Sequence, residues 1–165
     1  MICAQCGKAH PPSEMEPTFK RPDDFFYSTM AVYRKSWASE NFCVLNRRRY
    51  FIRGVLPTRI IDEDREFCIG AWAEVDRDTF HWARHVFRPR DFMRSGLVWG
   101  RIANDMRRYL PGQSLGARVA IRFNRHERPS FFLRLSGHPF EREQRAGITS
   151  HRRAEIVELA FGKKA

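Results

Sequence analysis

The chain has 165 residues, of which 30 are basic and 19 acidic, so its formal net charge is +11. A chain of this length fits one domain that buries about two thirds of the surface exposed by its unfolded form. Hydrophobic content of 42% is typical of a globular protein, and no apolar run approaches the roughly 20 residues of a membrane span. With no secretory signal at its start, we expect a soluble, cytoplasmic protein whose four cysteines are thiols or metal ligands, not disulfides.

Arginine supplies most of the positive charge, since only five of the basic residues are lysines. The forked donors of arginine suit an anionic partner, either nucleic acid or an acidic protein surface. The arginines are scattered along the chain, however, and no RNA-recognition, helix-turn-helix or P-loop motif accompanies them. A surface that is basic by composition alone is therefore the competing interpretation.

The N-terminal segment 1–22 contains Cys3-x-x-Cys6-Gly7, then His10 and several prolines. A Cys-x-x-Cys-Gly turn directs two thiolates toward one tetrahedral ion, and His10 is near enough in sequence to be a third ligand. This spacing predicts a zinc knuckle. The alternatives are two free thiols and a redox pair, although a thioredoxin-like motif lies between a strand and a helix, which this one does not.

Two segments have the spacing of amphipathic helices. From Asp23 to Trp37, the apolar residues recur at intervals of three and four, and Asp23 or Asp24 is available as an N-cap. From Leu97 to Leu110, the same spacing ends at Pro111-Gly112. We predict helices over 23–37 and 97–110, with a shorter one from Asp76 that ends before Pro89.

Three apolar runs between these helices predict an antiparallel meander at 41–45, 50–56 and 67–75. Cys43 lies in the first run and Cys68 in the third. Either could complete the zinc site if the knuckle folds back onto the sheet, with Cys43 as the predicted fourth ligand. Gly54 and Gly70 interrupt two of the runs, which is typical of a bulge or of close approach by another backbone.

Two further strands, 117–123 and 130–135, alternate apolar residues with arginines. Arg118, Arg122 and Arg134 are therefore expected on one exposed face, the best candidate for a nucleic-acid or anion patch, to which Arg53 of the second run is added. A solvated sheet face is the alternative. A last helix is predicted over 150–161, with Thr149 as its N-cap.

Together these patterns predict an α+β fold in a single domain, 1–165. A body over 23–165 has a mainly antiparallel sheet with three or four helices packed on it, and 1–22 form the Cys-x-x-Cys knuckle and a proline-rich lead-in.

The chain also resembles an uncharacterised bacterial family, domain of unknown function 2199. The likeness is carried by residues from nearly the whole chain: Cys3-x-x-Cys6-Gly7-x-x-His10, Pro22-Asp23, Cys43-Val44, Tyr50-Phe-Ile-Arg-Gly with Leu56-Pro57, Gly70-x-Trp72 with Phe80, His138-Pro139, Glu143-Gln-Arg and Gly147-Ile-Thr. Where the family has an aspartate before the Cys43 strand and an Asp-Gly turn after it, this chain has Asn41 and Asn46-Arg47. The resemblance implies that the knuckle, its histidine and the strand cysteine belong to a family pattern, and it supplies no activity.

No nucleophile elbow, phosphate loop, paired-carboxylate motif or metalloprotease signature is present in the sequence. We therefore predict a non-enzymatic binding or accessory protein with a small structural zinc site formed by Cys3, Cys6, His10 and Cys43. The alternatives are a nucleic-acid-binding protein that uses its arginine faces, an enzyme with His138 near Glu141 and Glu143 as acid/base candidates, and an immunity-type protein with an acidic partner.

Overall fold

The computed structural model describes residues 2–10, 15–85, 98–124 and 127–162. Within these ranges the chain forms seven strands and five helices. In chain order they are α1 (Asp23–Phe26), α2 (Met30–Tyr33), β1 (Trp37–Ala38), β2 (Phe42–Leu45), β3 (Arg49–Ile60), β4 (Arg65–Val75), α3 (Arg77–His85), β5 (Val98–Ile102), β6 (Arg118–Arg122), β7 (Ser130–Leu133), α4 (Phe140–Ala146) and α5 (Ser150–Phe161). No helix among them is both long enough and apolar enough to cross a bilayer.

The seven strands form one sheet in sequence order, and each consecutive pair is antiparallel. The sheet then closes on itself, because β7 also pairs with β3 in parallel at Val55 and Ser130. The amide of Val55 reinforces this closure by donating to the carbonyl of Pro129 at 2.9 Å. Strands β3 to β7 therefore form a barrel, and β1 and β2 extend the sheet beside the first half of β3.

Two glycines inside strands allow other parts of the chain to approach the sheet closely, as their positions in the sequence predict. The ring of Phe131 lies directly against Gly54, where the barrel closes. Thr18 lies against Gly70, and the carbonyl of Pro17 accepts a hydrogen bond from the Gly70 amide at 2.8 Å. The segment before α1 is thereby held on the free edge of β4.

The apolar side chains form two clusters on opposite faces of the sheet. The larger one fills the barrel with inward-facing residues such as Ile52, Leu56 and Phe131, and side chains of α3, α4 and α5 join it. The smaller one lies outside β2, β3 and β4 and contains Cys43, Phe51 and Trp72, against which the N-terminal segment packs.

The region before α5 is fixed to the end of β3 by backbone and side-chain contacts. Ile148 pairs with Ile60 in a parallel bridge, and Asp62 accepts a 2.7 Å hydrogen bond from the amide of Ser150. Thr149 caps α5 by accepting from the amide of Arg152 at 3.1 Å. These contacts set the direction in which α5 leaves the barrel, and with it the position of any ligand that the first turn of α5 supplies.

The α+β class and the five main predicted strands are confirmed, as is the last helix, whose predicted bounds of 150–161 match α5. The predicted mainly antiparallel sheet is matched in part, since the consecutive strand pairs are antiparallel and the β3–β7 closure is parallel. It carries five helices where three or four were predicted. The number differs because 23–37 contains two short helices, 98–110 contains none, and α4 forms in a segment that was predicted to lead directly into α5.

The predicted helix over 23–37 is wrong. This segment forms two single-turn helices and then strand β1, and Phe26, Met30, Tyr33 and Trp37 are all exposed. Hydroxyl side chains compete with the helical backbone here. Ser28 donates to the carbonyl of Phe25, and Thr29 caps a new helix at Val32.

The predicted helix over 97–110 is also wrong, since 98–102 form β5 and turns follow. The alternation of exposed Trp99 and Arg101 with buried Gly100 and Ile102 fits a strand as well as the helical spacing fits a helix. Tertiary contacts decide between them. The buried side chain of Asn104 accepts from the amide of Trp72 at 2.8 Å, which holds the end of β5 against β4.

Candidate metal centre

The N-terminal knuckle is a tight turn closed by its own backbone. The amide of Gly7 donates to the carbonyl of Cys3 at 2.8 Å, and the amide of Cys3 donates to the carbonyl of Lys8 at 2.9 Å. Gly7 has φ +67°, a left-handed conformation that costs glycine nothing sterically. As the Cys-x-x-Cys-Gly pattern predicts, both thiol groups are directed to one side of the turn, where His10 joins them.

Helix α5 supplies the fourth member of this group, His151. The four ligand atoms of Cys3, Cys6, His10 and His151 all lie within 4.8 Å of one another. The Cys6 Sγ to His10 Nε2 distance is 3.3 Å, and the Cys3 Sγ to His151 Nδ1 distance is 3.6 Å. Bonds of about 2.3 Å to sulfur and about 2.0–2.1 Å to nitrogen place adjacent S and N ligands of a tetrahedral zinc ion roughly 3.6 Å apart. The group could therefore hold a metal ion with little rearrangement.

The second ring nitrogen of each histidine faces a carboxylate of α5. His10 Nδ1 lies 3.7 Å from Glu158, and His151 Nε2 lies 3.4 Å from Glu155. Carboxylates placed behind metal-binding histidines fix the ring orientation and raise the basicity of the nitrogen that faces the metal. Glu155 and Glu158 thus complete the outer part of the candidate site, and both lie on the same helix as His151.

The thiol of Cys3 has its pKa lowered to about 6. Partial desolvation opposes this shift, but it is outweighed by hydrogen bonds to the sulfur from the backbone of Cys6 and Gln5 and from His10 and His151. Backbone amides that point at the first cysteine favour its thiolate, the form that binds metal. The turn therefore favours the thiolate of Cys3, which is the form that binds a cation, in the metal-free protein.

Alkylation of metal-free protein should separate its cysteines by these local environments. Because Cys3 is ionised above its pKa of about 6, its labelling by iodoacetamide should already be near maximal at pH 7. Burial raises the pKa of Cys43 to about 12, so Cys43 should stay unlabelled until the protein unfolds. Peptide mass spectrometry over pH 5–9 measures the labelling of Cys3 and of Cys43. Equal labelling of the two thiols, or labelling of Cys3 only above pH 8, would contradict the described geometry.

Cys43, the predicted fourth ligand, is not part of this group. It is fully buried in the smaller apolar cluster beside Phe51 and Trp72, where it packs as a small hydrophobic residue. Cys68 lies on β4, half-buried, with its pKa raised to about 11 by burial. The structure brings Cys3, Cys6 and His10 together and completes the group with His151. Nothing in the local sequence distinguishes His151 from the other histidines of the chain, since only the fold places it next to the knuckle.

The predicted basic residues are divided between two places. Arg118 and Arg122 are exposed on the outer side of β6, and Arg134 is half-buried just after β7, while Val119, Ile121 and Leu133 face the barrel interior as predicted. Arg53 lies apart on β3, where it donates to Thr18 at 3.2 Å and to the carbonyl of Glu40 at 3.4 Å. Desolvation lowers the pKa of Arg53.

The His138 region forms structural contacts. His138 is buried, and its Nδ1 accepts from the amide of Phe140 at 3.1 Å. Glu141 accepts from the amides of Leu135 and Ser136, and Glu143 pairs with Arg152 at 2.7 Å. These carboxylates therefore hold the ends of β7, α4 and α5 together.

The fold and this site define an α+β protein with a closed, mixed sheet and a Cys₂His₂ group that could hold a metal ion. The chain belongs to the bacterial family domain of unknown function 2199, described as an uncharacterized protein conserved in bacteria, which it matches over residues 2–148. The match includes Cys3, Cys6 and His10 and ends three residues before His151. No curated protein and no solved structure matches the chain.

Proposed function

We propose that the chain forms one domain that acts as a non-enzymatic binding protein, and that Cys3, Cys6, His10 and His151 bind a structural zinc ion. The observation that carries this proposal is the convergence of four sulfur and nitrogen ligands from opposite ends of the chain within 4.8 Å. Three of them come from one knuckle, and the fourth comes from a helix whose start is fixed independently by Thr149 and Asp62.

The chemistry of the ligands favours zinc. Thiolates and imidazoles suit zinc better than the hard cations calcium and magnesium, which take oxygen ligands, and a tetrahedral set of two sulfurs and two nitrogens is typical of zinc. Four protein ligands leave no position for water or substrate, whereas catalytic zinc keeps one open. A closed site therefore supports a structural role.

The role follows from what the ion would connect. Among the described residues, the knuckle contacts α5 through Cys3 and His10, and Ile2, Ala4, Gln5 and Lys8 are exposed. An ion bound by both Cys3 and His151 closes almost the whole chain into a loop, and long closures remove the most freedom from the unfolded state. Zinc would thus fix the knuckle on α5 and stabilise the packing of α5 on the barrel.

Elemental analysis of protein purified without added metal tests the proposal directly. We expect about one zinc ion per chain, and this zinc should be retained through gel filtration. A strong chelator should release the zinc, and the freed thiolates should then take up protons. The variant Cys6→Ser should lose the zinc, and Cys68→Ser, which removes a thiol outside the group, should retain it. Substoichiometric zinc in the wild-type protein, or full zinc in Cys6→Ser, would refute the proposed site. Turnover in broad hydrolase and transferase screens would refute the non-enzymatic role.

A further inference from the structure

A second feature of the molecule lies on the outer surface of β5, β6 and β7, away from the candidate metal centre. Strand pairing aligns Trp99, Ala120 and Phe132 in one row across the three strands. Arg101 and Arg118 form the next row with Arg134, whose amide donates to the carbonyl of Arg118 at 3.2 Å, and Arg122 lies on the other side of the aromatic row. We call these two rings and four arginines the arginine–aromatic face.

Three of the four arginines of this face stack on its rings, and Arg101 donates to the carbonyl of Gly116. The guanidinium carbon of Arg118 lies 3.9 Å from the centroid of the Trp99 ring, and those of Arg122 and Arg134 lie 5.2 and 5.5 Å from that of Phe132. Trp99 is 37% exposed although it is among the largest apolar side chains of the protein. Ala120 lies between the two rings in the same row and is buried.

Among the described residues, no carboxylate pairs with the arginines of this face. Across the described residues, Arg101, Arg118, Arg122 and Arg134 form no ion pair with a carboxylate, although they are close together. Other arginines of the described chain do pair with carboxylates: Arg49, Arg65, Arg107, Arg128, Arg145 and Arg152. Other arginines of the described chain are unpaired as well, and these four differ from them by lying together beside two aromatic rings on one sheet surface.

We propose that the arginine–aromatic face binds single-stranded nucleic acid. Single strands are held by side chains of two kinds: arginines that contact the phosphates, and aromatic rings or guanidinium planes on which unpaired bases stack. Here both kinds alternate across one sheet surface, with arginine rows on each side of an aromatic row. A duplex keeps its bases stacked on one another and cannot use Trp99 or Phe132 in this way. An acidic protein surface would use the arginines and would gain no base stacking from the rings.

Fluorescence anisotropy with a labelled ten-nucleotide oligothymidylate and zinc-loaded protein tests the proposal. Binding should weaken as salt is added, with the logarithm of the binding constant falling by about 0.7 per phosphate contact, or roughly 3 for four arginines, for each tenfold rise in salt. The same oligonucleotide in duplex form should bind more weakly at equal salt. Poly-glutamate should compete poorly at equal charge.

Two substitutions separate this face from general positive charge. Trp99→Ala should weaken binding by about fivefold or more, since stacking on one aromatic side chain contributes at least about that much. Trp37→Ala is the matched control, because Trp37 is also exposed and carries a stacked guanidinium, that of Arg84 at 4.7 Å, on a different strand. Likewise, Arg118→Gln with Arg122→Gln should reduce both affinity and salt slope, whereas Arg77→Gln with Arg84→Gln, which removes the same two charges from α3, should change little.

Circular dichroism melts of each variant show whether it folds. If Trp99→Ala does not fold, the arginine variants still test the proposal. The proposal is overturned if no binding is measured at 20 mM salt. It is also overturned if duplex and single strand bind equally, or if Trp99→Ala and Trp37→Ala have the same effect. None of these results bears on zinc binding, because every comparison is made between samples with the same metal content.

Discussion

Replacing His151 by alanine should lower the melting temperature of the zinc-loaded protein by roughly 10 °C. In the proposed site, His151 is the ligand that joins the knuckle to α5, so its loss would leave three ligands and an ion that no longer connects the two ends of the chain. Loss of a structural zinc ligand removes several kcal/mol of folding free energy. In a chain of this size, each kcal/mol lost lowers the melting temperature by about 2–4 °C. Thermal melts followed by circular dichroism measure the effect.

A chelator separates the metal from other roles of His151. With excess chelator, wild-type protein and His151→Ala should melt at nearly the same temperature, because neither has an ion to lose. His85→Ala is a matched control, since His85 is exposed on α3 and should change neither zinc content nor melting. If the difference between wild type and His151→Ala is as large with chelator as without it, the histidine stabilises α5 by packing and not through a metal.

Replacing Gly54 by alanine should reduce the free energy of unfolding by about 3 kcal/mol, near the upper end of what overpacking costs. A methyl group at this position would overlap the ring of Phe131 and lie 2.6 Å from the backbone oxygen of Pro129. The backbone at Pro129 cannot move aside as a flexible side chain can, because β7 pairs with β3 here and closes the barrel. Urea unfolding, with the midpoint and slope both measured, gives the change.

The comparison for Gly54→Ala is Gly137→Ala. Gly137 has φ +70° and nothing near the added methyl group, so it reports the cost of the backbone conformation alone, about 1 kcal/mol. Equal effects of the two substitutions would mean that the β3–β7 contact is looser than described. A much larger effect at Gly54 supports the closed sheet.

Those parts of the fold that local pattern determines were predictable from sequence. In β6, Arg118 and Arg122 alternate with Val119 and Ile121, and only a strand places the two kinds on opposite faces. In α5, Thr149 offers a cap at the start of a helical stripe. Knuckle geometry likewise follows from Cys3, Cys6 and Gly7, which are too close in sequence for distant contacts to rearrange.

Other features depend on contacts that no local pattern encodes. Trp99, Ile102 and Met106 satisfy a helical spacing, yet the segment forms a strand because β5 pairs with β6, which is distant in sequence. The choice of His151 over Cys43 has the same origin. Sequence places Cys43 in a strand, but only the pairing of Ile148 with Ile60 shows that α5, not β2, passes beside the knuckle.

X-ray absorption at the zinc edge tests the central claim of this account most directly. For protein purified without added metal, we expect an ion with two sulfur ligands at about 2.3 Å and two nitrogen ligands at about 2.0–2.1 Å. In Cys6→Ser, one sulfur should disappear from this shell or the zinc should be lost altogether. A shell of oxygen and nitrogen only in the wild-type protein, or one with three sulfurs that would require Cys43 or Cys68, would contradict the Cys3, Cys6, His10 and His151 site.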